Sequence, residues 1–225
     1  MVNIDTVYQK VLAIANKEQR GYITPQEFNL FADQAQLDIF EQYIYDINQF
    51  GKAKGNNTEY SDMLELLNEK LSIFKDLKNL VYTTDHFKTV ANTYKIGSVF
   101  YNNKKIQEIN DGEFIYLNNS PLLKPTLTNP VYVKRDDKLY VYPQQITSNV
   151  TCSFIKKPIK PRWSYVVVNG EALYNANNSQ NFKLHVSEEN NLINKILQLA
   201  GITMGNELYQ VASQEEVKDI QQEKV

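Results

Sequence analysis

Only three side chains of this 225-residue chain could supply an imidazole or a thiolate: His86, His185 and Cys152. A nucleophilic triad or a transition-metal site would have to gather at least two of them from distant segments. Both histidines are therefore read as solvated or hydrogen-bonded residues, and no metal or catalytic site is expected. A single cysteine also excludes an internal disulfide. Asp136 and Asp137 could be offered as a carboxylate pair for acid–base work, but neighbours on a strand point to opposite faces and acids favour tight turns. A hairpin turn is their expected role. Phosphate cradles need closely spaced glycines, and the eight glycines at positions 21, 51, 55, 97, 112, 170, 201 and 205 match neither a Walker nor a dinucleotide pattern. The expectation is a protein that is not an enzyme and holds no cofactor.

Asn16 to Glu27 copies the second half of a calcium-binding EF-hand loop, with glycine sixth, an aliphatic residue eighth and glutamate twelfth. The first half fails, because calcium needs oxygen ligands at the first, third and fifth positions and the fifth is Arg20. The same letters spell a glycine turn followed by a capped helix, Thr24-Pro25-Gln26-Glu27, so calcium binding is not expected.

The basic run Lys156, Lys157, Lys160 and Arg162 contains no acid. These four residues are the candidates for contact with DNA, against the plainer reading of lysines on a solvated edge strand. Net charge divides the chain. Residues 1–84 carry 8 basic and 12 acidic groups, residues 85–185 carry 13 and 7, and residues 186–225 carry 3 and 7.

The hydrophobic period changes at nearly the same places. Ile4, Val7, Val11, Ile14 and Ala15 predict a first helix. A second runs from Pro25 to Phe50 with two apolar stripes, Phe28/Phe31/Ala35/Ile39/Tyr43 and Leu30/Leu37/Phe40/Ile44/Ile47. So wide an apolar arc marks either a central helix or one shared with a neighbouring subunit, which makes Phe31, Ile39 and Tyr43 the candidate subunit-interface residues. Tyr60, Leu64, Leu67, Leu71 and Phe74 predict a third helix. From Asp85 short strands follow. Val131–Lys134 and Lys138–Tyr142 are joined through Arg135-Asp136-Asp137, with Val131, Val133, Leu139 and Val141 on one face and Tyr132, Tyr140 and Tyr142 on the other. Val150 to Ile155 is the next strand, and Pro158, Pro161 and Trp163 mark a stiff extended passage. Ser187-Glu188-Glu189 caps a last helix through Leu192, Ile196 and Ala200. Gln214 to Val225 is too polar to pack, and the stretch from Gly205 to Val225 is expected to be dispensable for folding.

The expected fold is α+β: a discontinuous helical bundle formed by residues 1–84 and 186–225, with an antiparallel β subdomain inserted at 85–185. The opening residues lack a signal peptide and no apolar run could span a bilayer, so a soluble protein retained in the producing cell is expected. Four Asn-x-Ser/Thr triplets, at Asn56, Asn118, Asn149 and Asn177, are chance products of 25 asparagines. Lysine outnumbers arginine 21 to 3, a sign of a low-GC genome.

Several segments together resemble the head-to-tail connector, or neck-ring, proteins of tailed bacteriophages, particularly the podovirus-like crAss-like phages and their marine relatives. They are Val11 to Ala32, Gln36 to Glu41, Asn129 to Val133, Val141 to Pro143, Phe154 to Pro158 with Pro161 to Trp163, and Phe182 to Leu184 followed by Ile193 to Gly201. The resemblance implies a structural virion protein that forms a ring, twelve copies in the family, beneath the portal. It implies the portal and other neck or tail proteins as partners, non-specific contact with genomic DNA in an exit channel, and no membrane. The place would be the virion neck, with host cytoplasm during assembly. An adhesin or carbohydrate-binding module, stacking sugars on Tyr132, Tyr140, Tyr142 and Trp163, is the alternative.

Overall fold

The computed structural model describes residues 1–17, 23–50 and 58–203. The chain is a mixed α+β protein. In order come α1 (Ile4–Lys17), α2 (Pro25–Phe50) and α3 (Thr58–Ser72), then β1 (Lys75–Asn79), β2 (Val81–Thr83), β3 (His86–Lys88), β4 (Thr93–Tyr101) and β5 (Lys104–Glu108). There follow α4 (Asp111–Asn119), β6 (Val131–Arg135), β7 (Lys138–Tyr142), β8 (Val150–Lys156), β9 (Tyr165–Val168), β10 (Glu171–Tyr174) and α5 (Glu189–Thr203). Two compact units result, Met1–Ile73 with Pro158–Val225 and Phe74–Lys157.

In the helix-rich unit local side chains cap the helix starts. Asn3 caps α1, its side-chain oxygen accepting from the Asp5 and Thr6 amides at 2.8 and 3.1 Å. Thr24 and Glu27 form the expected reciprocal capping box at α2, with Thr24 N–H donating to Glu27 Oε2 at 2.9 Å and Glu27 N–H to Thr24 Oγ1 at 3.3 Å. The last helix differs. A short 3-10 turn, Val186–Glu188, leads into it, capped by His185, whose Nδ1 accepts from the Ser187 amide. Glu188 is turned inward to meet Lys70 at 2.6 Å instead of lying in a solvated first turn.

Residues 158–184, expected within the β subdomain, belong to the helix-rich unit. They run extended over α1 and α2, and helix side chains take the place of a neighbouring strand. Gln36, fully buried, donates to the Ile159 carbonyl at 2.9 Å and accepts from the Lys183 amide at 2.8 Å. The Asn181 side chain accepts from the Ile4 amide at 3.0 Å. Outside the β9–β10 pair this backbone still has to satisfy its polar groups, and amide side chains do so here.

The second unit is one eight-stranded sheet in the order β1-β8-β4-β5-β6-β7-β3-β2. Its two edge strands are consecutive in the chain, separated only by Leu80. One bent segment therefore pairs with β8 through its first half and with β3 through its second, drawing the margins together into a nearly closed barrel. The interior is packed with Leu80, Phe87, Val99, Ile106, Leu139, Val150, Cys152 and Phe154. The sheet begins at Lys75 and not at Asp85 because β1, Lys-Asp-Leu-Lys-Asn, shows no buried alternation: its one apolar residue, Leu77, faces out.

The sheet is not wholly antiparallel. β5 and β6 are parallel, which requires a crossover, and residues 109–130 supply it with α4 inside. No buried stripe announces α4 in the sequence, although Asn110 and Glu113 write a capping box at its start.

The faces of the β6–β7 hairpin are also reassigned. A three-residue connection would pair Lys134 with Lys138, but the loop is Asp136-Asp137 alone and Arg135 pairs with Lys138. A slip of one residue flips every side chain. Tyr132 thus faces the core with Leu139 and Val141, whereas Tyr140 and Tyr142 share the outer face with Val131 and Val133.

Candidate functional site

The residues with chemical potential do not converge. Cys152 lies in the barrel interior, where burial pushes its thiol up to about 11 and keeps it protonated. His86 stands on the outer face of the same barrel, its Nδ1 2.6 Å from Asp85 Oδ1, so the barrel wall separates the two. His185 belongs to the other unit. Asp136 has φ 52°, the left-handed conformation of a tight turn. Among the described residues no three His, Cys, Asp or Glu side chains form a group that could hold a metal ion. Of the EF-hand-like stretch, residues 18–22 lie outside the described residues, and the Glu27 carboxylate is engaged by Thr24.

Two of the three expected subunit-interface residues are core. Ile39 is 1 % and Tyr43 5 % exposed, because α2 buries the face through Phe28, Ala32, Ala35, Gln36 and Phe40 against the rest of its own unit. Phe31 is half-buried at the margin, and α2 leaves Leu30 and Tyr45 outside, at 70 % and 62 % exposure. The wide apolar arc reflects a helix covered by α3, α5 and the segment 158–184 of its own unit.

The basic run is divided between the units, Lys156 and Lys157 in the barrel, Lys160 and Arg162 in the helix-rich unit. Lys156 reaches Asp76 at 2.6 Å, and this hydrogen bond holds the Asp76 carboxyl below the usual range. Lys160 meets Asp33 at 3.2 Å. Lys157 and Arg162 are exposed, Arg162 within a bridge to Gln180. The barrel carries twelve basic and seven acidic groups, while the other unit carries twelve and nineteen.

The tyrosines and tryptophan offered for sugar stacking are mostly occupied. Trp163, 2 % exposed, lies 4.1 Å from Tyr8 and donates its indole N–H to Asp5 at 2.9 Å. Tyr132 is buried with its hydroxyl donating to Glu108, and burial followed by that acid raises its pKa. Phe114 stacks on Tyr142 at 3.9 Å, and the Arg135 guanidinium covers Tyr140 at 4.9 Å. An open depression of about 390 Å³ beside β4 is lined by Gly97, Ser98, Lys105, Glu108 and Tyr132 among others, without an imidazole or thiol.

What the two units do leave outside is apolar. The β9–β10 hairpin turns on Asn169 and Gly170, both at positive φ, with Gly170 at 86°. Its register places Val166, Val168 and Leu173 on one face and Tyr165, Val167 and Tyr174 on the other. Val166 is 51 % and Val167 62 % exposed, so neither face is dry. Trp163 stacks against Tyr165 and Tyr174 at 5.8 and 5.7 Å and fixes the base. In the barrel unit, the crossover exposes Ile115, Tyr116, Leu122 and Leu123, and no residue of α4 is itself buried. Exposed aliphatic residues on an irregular crossover or a hairpin carry no periodic signature, which is why the sequence pattern pointed to α2 instead.

No protein-family model matches the chain, and a search of curated proteins finds no match either. No helix among the described residues is long and apolar enough to cross a membrane.

Proposed function

We propose that the chain is a structural virion protein that forms a ring in the neck of a tailed bacteriophage, joins the portal to the tail and lines the channel through which DNA leaves the capsid. In this reading the helix-rich unit is a discontinuous bundle contributed by both ends of the chain, with the barrel inserted into it. Copies, about twelve, meet head to tail, since a heterologous contact whose rotation closes generates a ring. The phage connection comes from the sequence resemblance.

The observation that carries assembly is the β9–β10 hairpin. A two-stranded ribbon is marginal on its own in water, and this one exposes valines on both faces with no third strand beside it among the described residues. Apolar surface of this kind marks a docking element. It replaces Ile39 and Tyr43 as the contact surface. A carbohydrate-binding role draws less support, since Trp163 and Tyr132 are buried and the faces of Tyr140 and Tyr142 are covered by Arg135 and Phe114.

Electron microscopy and sedimentation of the purified chain, alone and mixed with the portal of the same virus, test the reading. Rings are expected, and the double variant Val167→Lys/Leu173→Lys should fold normally and fail to enter them. A chain that stays monomeric in the presence of the portal would overturn it.

A further inference from the structure

The net positive charge of the barrel lies on one side. Strands β1, β4, β5 and β8 with the adjoining Lys157 carry seven lysines and two acids. The rest of the unit, including α4 and the Asp136-Asp137 turn, carries five basic and five acidic groups. Both acids on the basic side are engaged, Asp76 with Lys156 and Glu108 with the Tyr132 hydroxyl. Six of the seven lysines, Lys75, Lys78, Lys95, Lys104, Lys105 and Lys157, are exposed.

The register arranges part of this charge in the outward rows. Phe154 and Cys152 face the core, so Ile155, Ser153 and Thr151 face out along β8. Lys75 and Lys95 flank Ile155 on the two neighbouring strands, and Lys105 lies beyond Thr151 and Phe100 in the next row but one. Short polar side chains, Ser153 and Thr151, separate these lysines, so the face is shallow. Gly97 keeps it so: a Cβ there would lie 3.1 Å from the Ser153 carbonyl oxygen, and the two strands approach closely at the β4 irregularity.

We propose that the outward face of β1-β8-β4-β5 binds the phosphate backbone of DNA without regard to sequence. Spaced ammonium groups on a shallow surface match a repeating array of phosphates, while no arginine fork is present on these rows to read base edges. The identity of the polyanion as DNA rests on the connector reading; the electropositive face itself does not. Within the original basic run the assignment keeps Lys157 and passes over Lys156 and Lys160, which are held by Asp76 and Asp33.

The test is binding of a random-sequence DNA duplex to the full chain, followed by fluorescence anisotropy between about 50 and about 200 mM salt. The variant Lys95→Gln/Lys105→Gln/Lys157→Gln should weaken binding at least about tenfold at the lower salt and reduce the log–log salt slope by about 3. The control Lys88→Gln/Lys134→Gln/Lys138→Gln removes the same charge from the balanced side and should leave the slope unchanged. Equal losses in the two variants, or no duplex binding by the wild type at the lower salt, would overturn the face. If the wild type ignores duplex but assembles with the portal, only this inference fails. If it binds duplex as described but never assembles, the connector reading fails and the face stands.

Discussion

Asn29 holds the backbone of Trp163 with both ends of its amide: Oδ1 accepts from the Trp163 N–H at 2.7 Å and Nδ2 donates to the Trp163 carbonyl at 3.0 Å. A helix residue thereby acts as the strand that this stretch lacks. Replacing it with leucine leaves a buried donor and acceptor unpaired at once. Asn29→Leu is expected to cost about 2 to 4 kcal/mol in urea denaturation, whereas Asn190→Ala, on an exposed part of α5, should cost almost nothing. Equal effects would show that the two hydrogen bonds contribute nothing particular.

Glu188 makes folding sensitive to acid. Burial pushes its pKa up, but hydrogen bonds from Lys70 and Asn191 outweigh burial and the net shift is downward from 4.5. A depressed folded pKa contributes stability that is complete above the unfolded value and lost as pH falls through the folded one. Unfolding measured from pH 7 downward should therefore show a loss that starts below about 4.5. Lys70→Leu leaves the carboxylate buried without its cation and should cost about 3 kcal/mol at neutral pH, with the acid-dependent loss moved to higher pH. An unaltered pH profile in that variant would contradict the pairing.

The β6–β7 register separates Tyr132 from Tyr140, which a three-residue connection would place on one face. Tyr132→Ser empties a core position and should destabilise by about 3 kcal/mol or more, while Tyr140→Ser, on the outer face, should cost less than about 1 kcal/mol. Equal, small costs in thermal melts would restore the three-residue turn.

Cys152 should resist iodoacetamide at neutral pH in the folded protein and react promptly once urea unfolds the barrel, because its buried thiol is protonated. Rapid labelling without denaturant would mean that the interior opens.

Thr24→Ala should cost about 1 kcal/mol through the lost cap, with or without calcium. Stoichiometric heat in a calcium titration, abolished by Glu27→Gln, would overturn the capping account of this motif. The expectation that the chain beyond Gly205 is dispensable for folding lies outside the described residues.

Local physics was legible along the chain. The first helix and the Thr24–Glu27 box each depend on residues near one another, and each is found where the letters predicted. What escaped depends on residues far apart. Whether Ile39 and Tyr43 face a neighbour or their own core is decided by α5 and the segment after Lys157, both more than a hundred residues away. Lys156 and Lys160 look alike in a basic run until folding brings Asp76 and Asp33 to them. The faces of the β6–β7 hairpin hinge on one residue of turn length, since a period of two turns a single slip into a complete exchange of inside and outside. Barrel closure is the clearest case. β1 and β2 are short, polar and unremarkable in sequence, and only the joining of opposite sheet edges through Leu80 shows that they complete the wall.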